Sequence, residues 1–303
     1  QQAVSRITAV AQYTLQEENI EPLCLRWEDT DGDGSPEWLG VHLSGEDPPQ
    51  LQAFVLDDET WYDLDPPEGE EYGLGMYPTC QLEVDDINLD GRAEIAVWGR
   101  AETTLDLLHV FVWNGFHYRE LASFQGDAGI RMDDVDGAPG DEIIVRHNAG
   151  DGLAWETVHI WDDTHYVWTW DRYQWLHIDH PHAYVKRTPE RVVISFYLAL
   201  EDRDLPGAYS LLAAEARASN AYQSWAAQFD TTLKVDVGSV YEIERRGDAA
   251  DVTAQVRSYD NIGGYIQGRL WDVTWLVVRE NGSWRLSAGT TTELSEWQVP
   301  DID

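Results

Sequence analysis

Basic residues are scarce in this chain: 20 Lys and Arg stand against 56 Asp and Glu in 303 residues, a formal net charge of −36. That deficit removes the clustered cations that nucleic acid and anionic lipid require, so neither is expected as a partner. Long apolar runs are also missing, and no stretch of about eighteen residues offers a membrane span. Residues 183–303 contain no histidine, which excludes the most versatile general base near neutral pH from that stretch. No nucleophile-elbow motif, phosphate-binding glycine loop or cofactor fingerprint occurs anywhere. Cysteine is limited to Cys24 and Cys80. Neighbouring strands would bring them close enough to bridge, whereas a one-residue offset in register would turn their side chains to opposite faces, so the bridge stays open. The chain does not begin with methionine, and the expectation is that a leader segment has been removed and that the protein is exported.

What is present is acid arranged in loops. Asp29-Thr-Asp31-Gly-Asp33-Gly34-Ser35-Pro-Glu37 and Asp86-Ile-Asn88-Leu-Asp90-Gly91-Arg92-Ala-Glu94 carry oxygen side chains at positions 1, 3, 5 and 9 and glycine at 6. Asp134-Val-Asp136-Gly-Ala138-Pro-Gly140-Asp-Glu142 keeps positions 1, 3 and 9 but has alanine at 5. Eighteen residues after each glutamate comes one hairpin signature, starting at Val55, Val112 and Ile160 and ending at Trp61, Tyr118 and Tyr166. A repeat of about 50 residues built from short strands predicts a propeller-like or stacked β architecture.

Alternating residues of a tight loop aim oxygens inward, and a hard ion such as calcium takes six to eight of them. Zinc would want the imidazole or thiolate that these loops lack. The glutamate at 9, not 12, and the apolar strand after it separate the loops from EF-hands. The plain alternative is three Asp/Gly-rich surface turns that need no ion.

These residues resemble the FG-GAP/VCBS repeat family over about residues 21 to 172. The resemblance implies calcium loops joining strands of four-stranded units. By position it implies Asp29, Asp31, Asp33, Glu37 and the Ser35 backbone as ligands of one ion. It implies Asp86, Asn88, Asp90, Glu94 and the Arg92 backbone for a second, and Asp134, Asp136, Glu142 and the Gly140 backbone as a weaker third set. Residues 1–175 are therefore expected as an all-β, propeller-like domain of three four-stranded units. Residues 64–79, acidic and rich in Pro and Gly, read as an exposed loop. Val4 to Leu15 fits either a helix or a strand.

Residues 176–187 read as a linker. His177, Asp179, His180 and His182 invite a zinc reading there, but Pro181 breaks any helical pairing and a solvated segment explains them as well. From Thr188, an N-cap followed by Pro189, the apolar stripe Val192, Val193, Phe196, Tyr197 and Leu200 predicts a helix. Two further helices to Phe229 and four strands to Thr291 complete the pattern. The opening at 189–200, Leu205-Pro-Gly-Ala-Tyr-Ser-Leu-Leu212 and the hairpin Trp275 to Leu286 resemble the nuclear-transport-factor-2-like superfamily. That resemblance implies an α+β cone over 188–303, with helices on a curved antiparallel sheet.

The expected function is an exported, non-enzymatic binding or scaffold protein, extracellular, periplasmic or at the cell envelope. Calcium would stabilise it, and protein or polysaccharide would be its partner. The C-terminal domain would supply a pocket, with Tyr197, Tyr222, Tyr259 and Trp275 as candidate ligand contacts, or a homodimer face. Two other readings stand beside this one. Exposed Trp61, Trp113, Trp161 or Trp168 would recognise surface carbohydrate. Asp236 or Asp260 with Tyr197, Tyr222, Tyr241 or Tyr259 would serve a small-molecule enzyme.

Overall fold

The computed structural model describes residues 13–16, 19–45, 47–177 and 184–299. Sixteen strands dominate the described residues, arranged as four antiparallel four-stranded sheets. The first holds β1 (Pro22–Glu28), β2 (Glu37–Leu43), β3 (Leu51–Asp57) and β4 (Thr60–Asp63). The second holds β5 (Gln81–Asp85), β6 (Glu94–Arg100), β7 (Asp106–Trp113) and β8 (Tyr118–Gly126). The third holds β9 (Ile130–Asp133), β10 (Glu142–Gly150), β11 (Leu153–Trp161) and β12 (Tyr166–Trp175). In each sheet strands adjacent in sequence are adjacent in space, as tight turns between antiparallel neighbours dictate.

The expected combination of a propeller-like half with an α+β cone is overturned. The chain is mostly β, 54% strand against 13% helix, and its C-terminal part is itself a four-stranded antiparallel sheet. That sheet holds β13 (Thr232–Arg246), β14 (Ala249–Ile262), β15 (Tyr265–Glu280) and β16 (Ser283–Val299). Among the described residues only α1 (Pro189–Glu201) exceeds two turns. The expected helices between 204 and 229 break into α2 (Leu205–Ser210), α3 (Ala214–Ser219), α4 (Tyr222–Ala226) and a 3₁₀ turn, Ala227–Phe229. Helix nuclei this short contribute little structure, while β16 runs eight residues past its expected end at Thr291. Thr188 does cap α1, its hydroxyl accepting from Arg191 N at 3.2 Å.

Two compact units divide the chain. One comprises residues 1–133, 139–147 and 159–168; the other comprises 134–138, 148–158 and 169–303. In the first unit the central strands are buried on both faces, and period-two alternation explains how. Ile95 and Val97 of β6 enter one apolar cluster with Leu39, Val41 and Val55, whereas Ala96 and Trp98 enter another with Leu108, Val110 and Ile143. A strand packed on both sides is held rigidly, and β6 begins at Glu94 of the second acidic loop.

The 64–79 segment is not simply an exposed loop. Leu64 and Leu74 are core residues. Leu51 N donates to Gly75 O at 2.7 Å and Met76 N to Arg100 O at 2.9 Å. Its apolar ends dock, while Glu68 and Glu71 of its charged middle stay exposed. Residues 13–16 are helical and Leu15 packs with Phe54 and Leu56; the rest of the Val4 to Leu15 segment, like Asp179, His180 and His182, lies outside the described residues. In the second unit, α1 buries Val192, Val193, Phe196 and Leu200 against Val235, Val237 and Val252 of the long sheet.

Candidate metal centre

Each of the first two acidic loops lies between strand one and strand two of its sheet, and each closes on itself through carboxylate turns. Gly34 N donates to Asp29 Oδ2 at 3.0 Å, Asp33 N to Asp31 Oδ1 at 3.0 Å and Ser35 N to Asp33 Oδ1 at 2.7 Å. The second loop repeats this position for position. Gly91 N donates to Asp86 Oδ2 at 3.0 Å, Asp90 N to Asn88 Oδ1 at 2.9 Å and Arg92 N to Asp90 Oδ1 at 3.0 Å. Gly34 and Gly91 take φ of +89° and +88°, where a side chain would be strained. That is the physical reason for glycine at position 6.

The position-9 glutamates point inward from the first residue of β2 and β6 and are buried. Glu37 Oε2 accepts from Thr30 N and Thr30 Oγ1, both at 2.7 Å. Glu94 Oε2 accepts from Ile87 N at 3.0 Å. In the first loop, ligand atoms of Asp29, Asp31, Asp33 and Glu37 all lie within 4.8 Å of one another. Burial, followed by the Asp31 and Asp29 charges, pushes the Glu37 carboxyl above its usual range despite the Thr30 bonds. Glu94 is pushed up to about 7, first by burial and then by Asp90.

A calcium ion fits these donors. Glu94 Oε1 and Asp86 Oδ1 are buried without a hydrogen-bond partner. An orphaned carboxylate oxygen costs free energy unless a cation satisfies it. All side-chain donors at the two loops are oxygens, the set that a hard cation takes. One contact competes: the Arg92 guanidinium pairs with Asp90 at 2.5 Å, so that carboxylate already has a cation. In the third loop, Gly137 N donates to Asp134 Oδ1 and Ala138 N to Asp136 Oδ1, each at 2.7 Å. Asp134 and Asp136 belong to one compact unit, Gly140 and Glu142 to the other.

Thr30 is a functional residue that the repeat pattern hides. Its hydroxyl positions Glu37, but the equivalent residue in the second loop is Ile87, so no periodic signal marks it. The cysteines bridge, with Cα atoms 5.8 Å apart. Cys80 precedes β5 and so is free of the pleat, and β1 is irregular between Pro22 and Cys24. The strand-face argument against the bridge therefore does not apply.

The C-terminal candidates separate. Tyr197 and Trp275 line a cavity of about 390 Å³ with Phe196, Trp225, Trp271 and Asp260. Trp275 Nε1 donates to the Tyr197 hydroxyl at 3.0 Å. Tyr222 lies outside this lining and packs on Tyr209 and Trp225, while Tyr259 is buried with its hydroxyl unpartnered. Tyr241 is exposed. Asp260 accepts from Thr232 Oγ1 at 2.7 Å and from Arg269. Asp236 belongs to a buried ionic cluster, and its charge helps to raise the Tyr259 pKa after burial. Arg172 donates to Asp236 at 3.1 Å and to Glu156 at 2.8 Å, and all three side chains are 3% exposed or less. Trp61 stacks on Phe54, Trp113 packs tilted against Tyr118 and Trp161 meets Tyr166 edge-on, all half-buried; Trp168 is exposed.

No protein-family model and no curated protein matches the chain. A solved structure of Bdellovibrio bacteriovorus Bd1075 is similar over 62% of this chain and 90% of that one, at 10% identity and a TM-score of 0.28. At that score the two folds are not shown to correspond.

Proposed function

We propose that this chain is an exported, non-enzymatic binding or scaffold protein whose first two acidic loops bind calcium and so stiffen its β sheets. The observation that carries the reading is the pair of buried, unpartnered oxygens, Glu94 Oε1 and Asp86 Oδ1, in a loop whose backbone repeats that of the four-carboxylate first loop. Asp29, Asp31, Asp33, Glu37 and the Ser35 carbonyl would hold one ion; Asp86, Asn88, Asp90, Glu94 and the Arg92 carbonyl a second. Calcium would supply charge neutralisation and cross-linking, not chemistry. The likeness of residues 21 to 172 to FG-GAP/VCBS repeats points the same way.

The Cys24–Cys80 bridge supports an oxidising compartment, and hence export. No helix among the described residues is long and apolar enough to cross a membrane. The aromatic cavity beside Tyr197 supports small-molecule binding over catalysis, because Asp260, its acid, is engaged by Thr232, Ser258 and Arg269.

Thermal unfolding of chelator-treated protein tests the calcium reading. Calcium, and not magnesium, raises the melting temperature, because an ion bound only by the folded state stabilises it by linkage. Asp31→Ala and Asp90→Ala each remove part of the rise. An unchanged melting temperature at millimolar calcium overturns the reading.

A further inference from the structure

A second donor set, unlike the acidic loops, lies in the first compact unit. His109 of β7 and Glu120 of β8 meet Glu70 of the 64–79 segment. His109 Nδ1 is 2.6 Å from Glu120 Oε1 and 3.9 Å from Glu70 Oε2. One ligand atom from each of the three residues lies within 4.8 Å of the others. The His109 side chain is 2% exposed, Glu120 8% and Glu70 27%. Ser123 Oγ donates to Glu70 Oε1 at 2.9 Å and so aims the carboxylate from outside.

We propose that Glu70, His109 and Glu120 form a binding site for a first-row divalent transition ion of the zinc type, separate from the calcium loops. The donor set is the first reason. One imidazole and two carboxylates suit zinc, whereas calcium and magnesium do not select nitrogen. Distance is the second. Zinc bound at about 2.0–2.1 Å in a tetrahedron has ligand atoms roughly 3.3 Å apart. The two His109–glutamate separations, 2.6 and 3.9 Å, bracket that value. Small movements of two glutamate side chains reach it, and one of these glutamates sits on a loop.

Charge is the third reason. Two carboxylates face one imidazole in a largely buried place, and a dication balances them. Facing carboxylates, Nδ1 must otherwise carry a proton, whose place the ion takes. Glu70 gives the path from solvent and leaves the fourth position to water. Bound there, the ion would clamp the 64–79 segment to the second sheet.

The test is calorimetric titration of zinc into the chelator-treated full chain at saturating calcium, which keeps the acidic loops filled. One zinc per chain binds at micromolar or tighter concentration, and Glu70→Gln weakens it at least tenfold. Glu70 is partly exposed and on a loop, so this variant retains the fold, checked by an unchanged calcium response. His109→Gln abolishes the binding, and cobalt substituted for zinc shows a visible spectrum that Glu70→Gln alters. Absence of zinc binding overturns the proposal. So does zinc affinity that Glu70→Gln leaves unchanged, the result that capture by His177, His180 and His182 would produce.

Discussion

The hydroxyl of Tyr118 lies 2.6 Å from the hydroxyl of Thr30, a residue 88 positions earlier. Thr30 Oγ1 already donates to Glu37 Oε2, so Tyr118 is the donor to Thr30 and a chain of two hydrogen bonds runs from β8 of the second sheet into the first acidic loop. Burial raises the Tyr118 pKa, which keeps it protonated and able to donate.

Tyr118→Phe breaks the outer link and leaves the inner one. The expected loss is about 1 kcal/mol, the usual worth of a buried neutral hydrogen bond. Thr30→Val strips a donor from the buried Glu37 carboxylate and costs more, about 2 kcal/mol. Urea unfolding of the two variants checks the ranking; equal or reversed losses contradict the direction of donation.

Gly99 of β6 faces the 64–79 segment. A Cβ built there would lie 1.6 Å from the Leu74 carbonyl oxygen, a backbone atom that cannot rotate away. Gly99→Ala therefore pushes the segment off the sheet and costs about 1–3 kcal/mol, as overpacking does. Limited proteolysis should show new cleavage between Leu64 and Tyr77, and an uncut segment would contradict the docking.

The Cys24–Cys80 bridge closes a sequence separation of 56. Loop-closure entropy puts its contribution at about 4 kcal/mol, with engineered and native cases commonly giving 2–4. Cys24→Ser lowers the denaturation midpoint accordingly. Adding reductant to the wild type gives a similar drop and leaves the variant unaffected.

Glu201, in the last turn of α1, accepts from Gln174 Nε2 at 2.7 Å while its Oε2 is buried without a partner. Burial, then the charge of Asp236, raises its pKa to about 8, with the Gln174 bond and the Arg172 and Lys234 charges pulling the other way. The folded value lies above the unfolded one, so the folded state binds the extra proton. Its stabilisation is complete below the unfolded pKa and is lost as pH rises through about 8. The slope from one group cannot exceed about 1.4 kcal/mol per pH unit. Glu201→Gln keeps a neutral side chain and should flatten the loss of stability between the unfolded pKa of 4.5 and the folded value of about 8 relative to wild type; parallel curves would show that Glu201 is ionised in the fold.

What was legible in the sequence depended on range. In the first three sheets the hairpin signatures read eighteen residues after each glutamate fall at Val55, Val112 and Ile160 within β3, β7 and β11, because short-range apolar patterning and turn residues are local signals. The same local reasoning failed over 204–229. Helical periodicity there was real but interrupted, and the long strands after it, not the helices, decide the character of the C-terminal part. The Glu70–His109–Glu120 set left no trace in spacing, since 39 residues separate its first two members.

The turns of the acidic loops were determined by sequence alone, because the carboxylate and amide oxygens that close them accept from backbone groups at most seven positions away and glycine at position 6 permits the turn wherever it occurs. Tertiary structure decided the rest: that Cys80 meets Cys24, that Asp236 is buried and paired with Arg172, and that Glu94 keeps an oxygen with no partner. Those outcomes depend on which faces of distant strands are buried together, and burial, not propensity, sets the cost of leaving a charge or a polar atom unpaired.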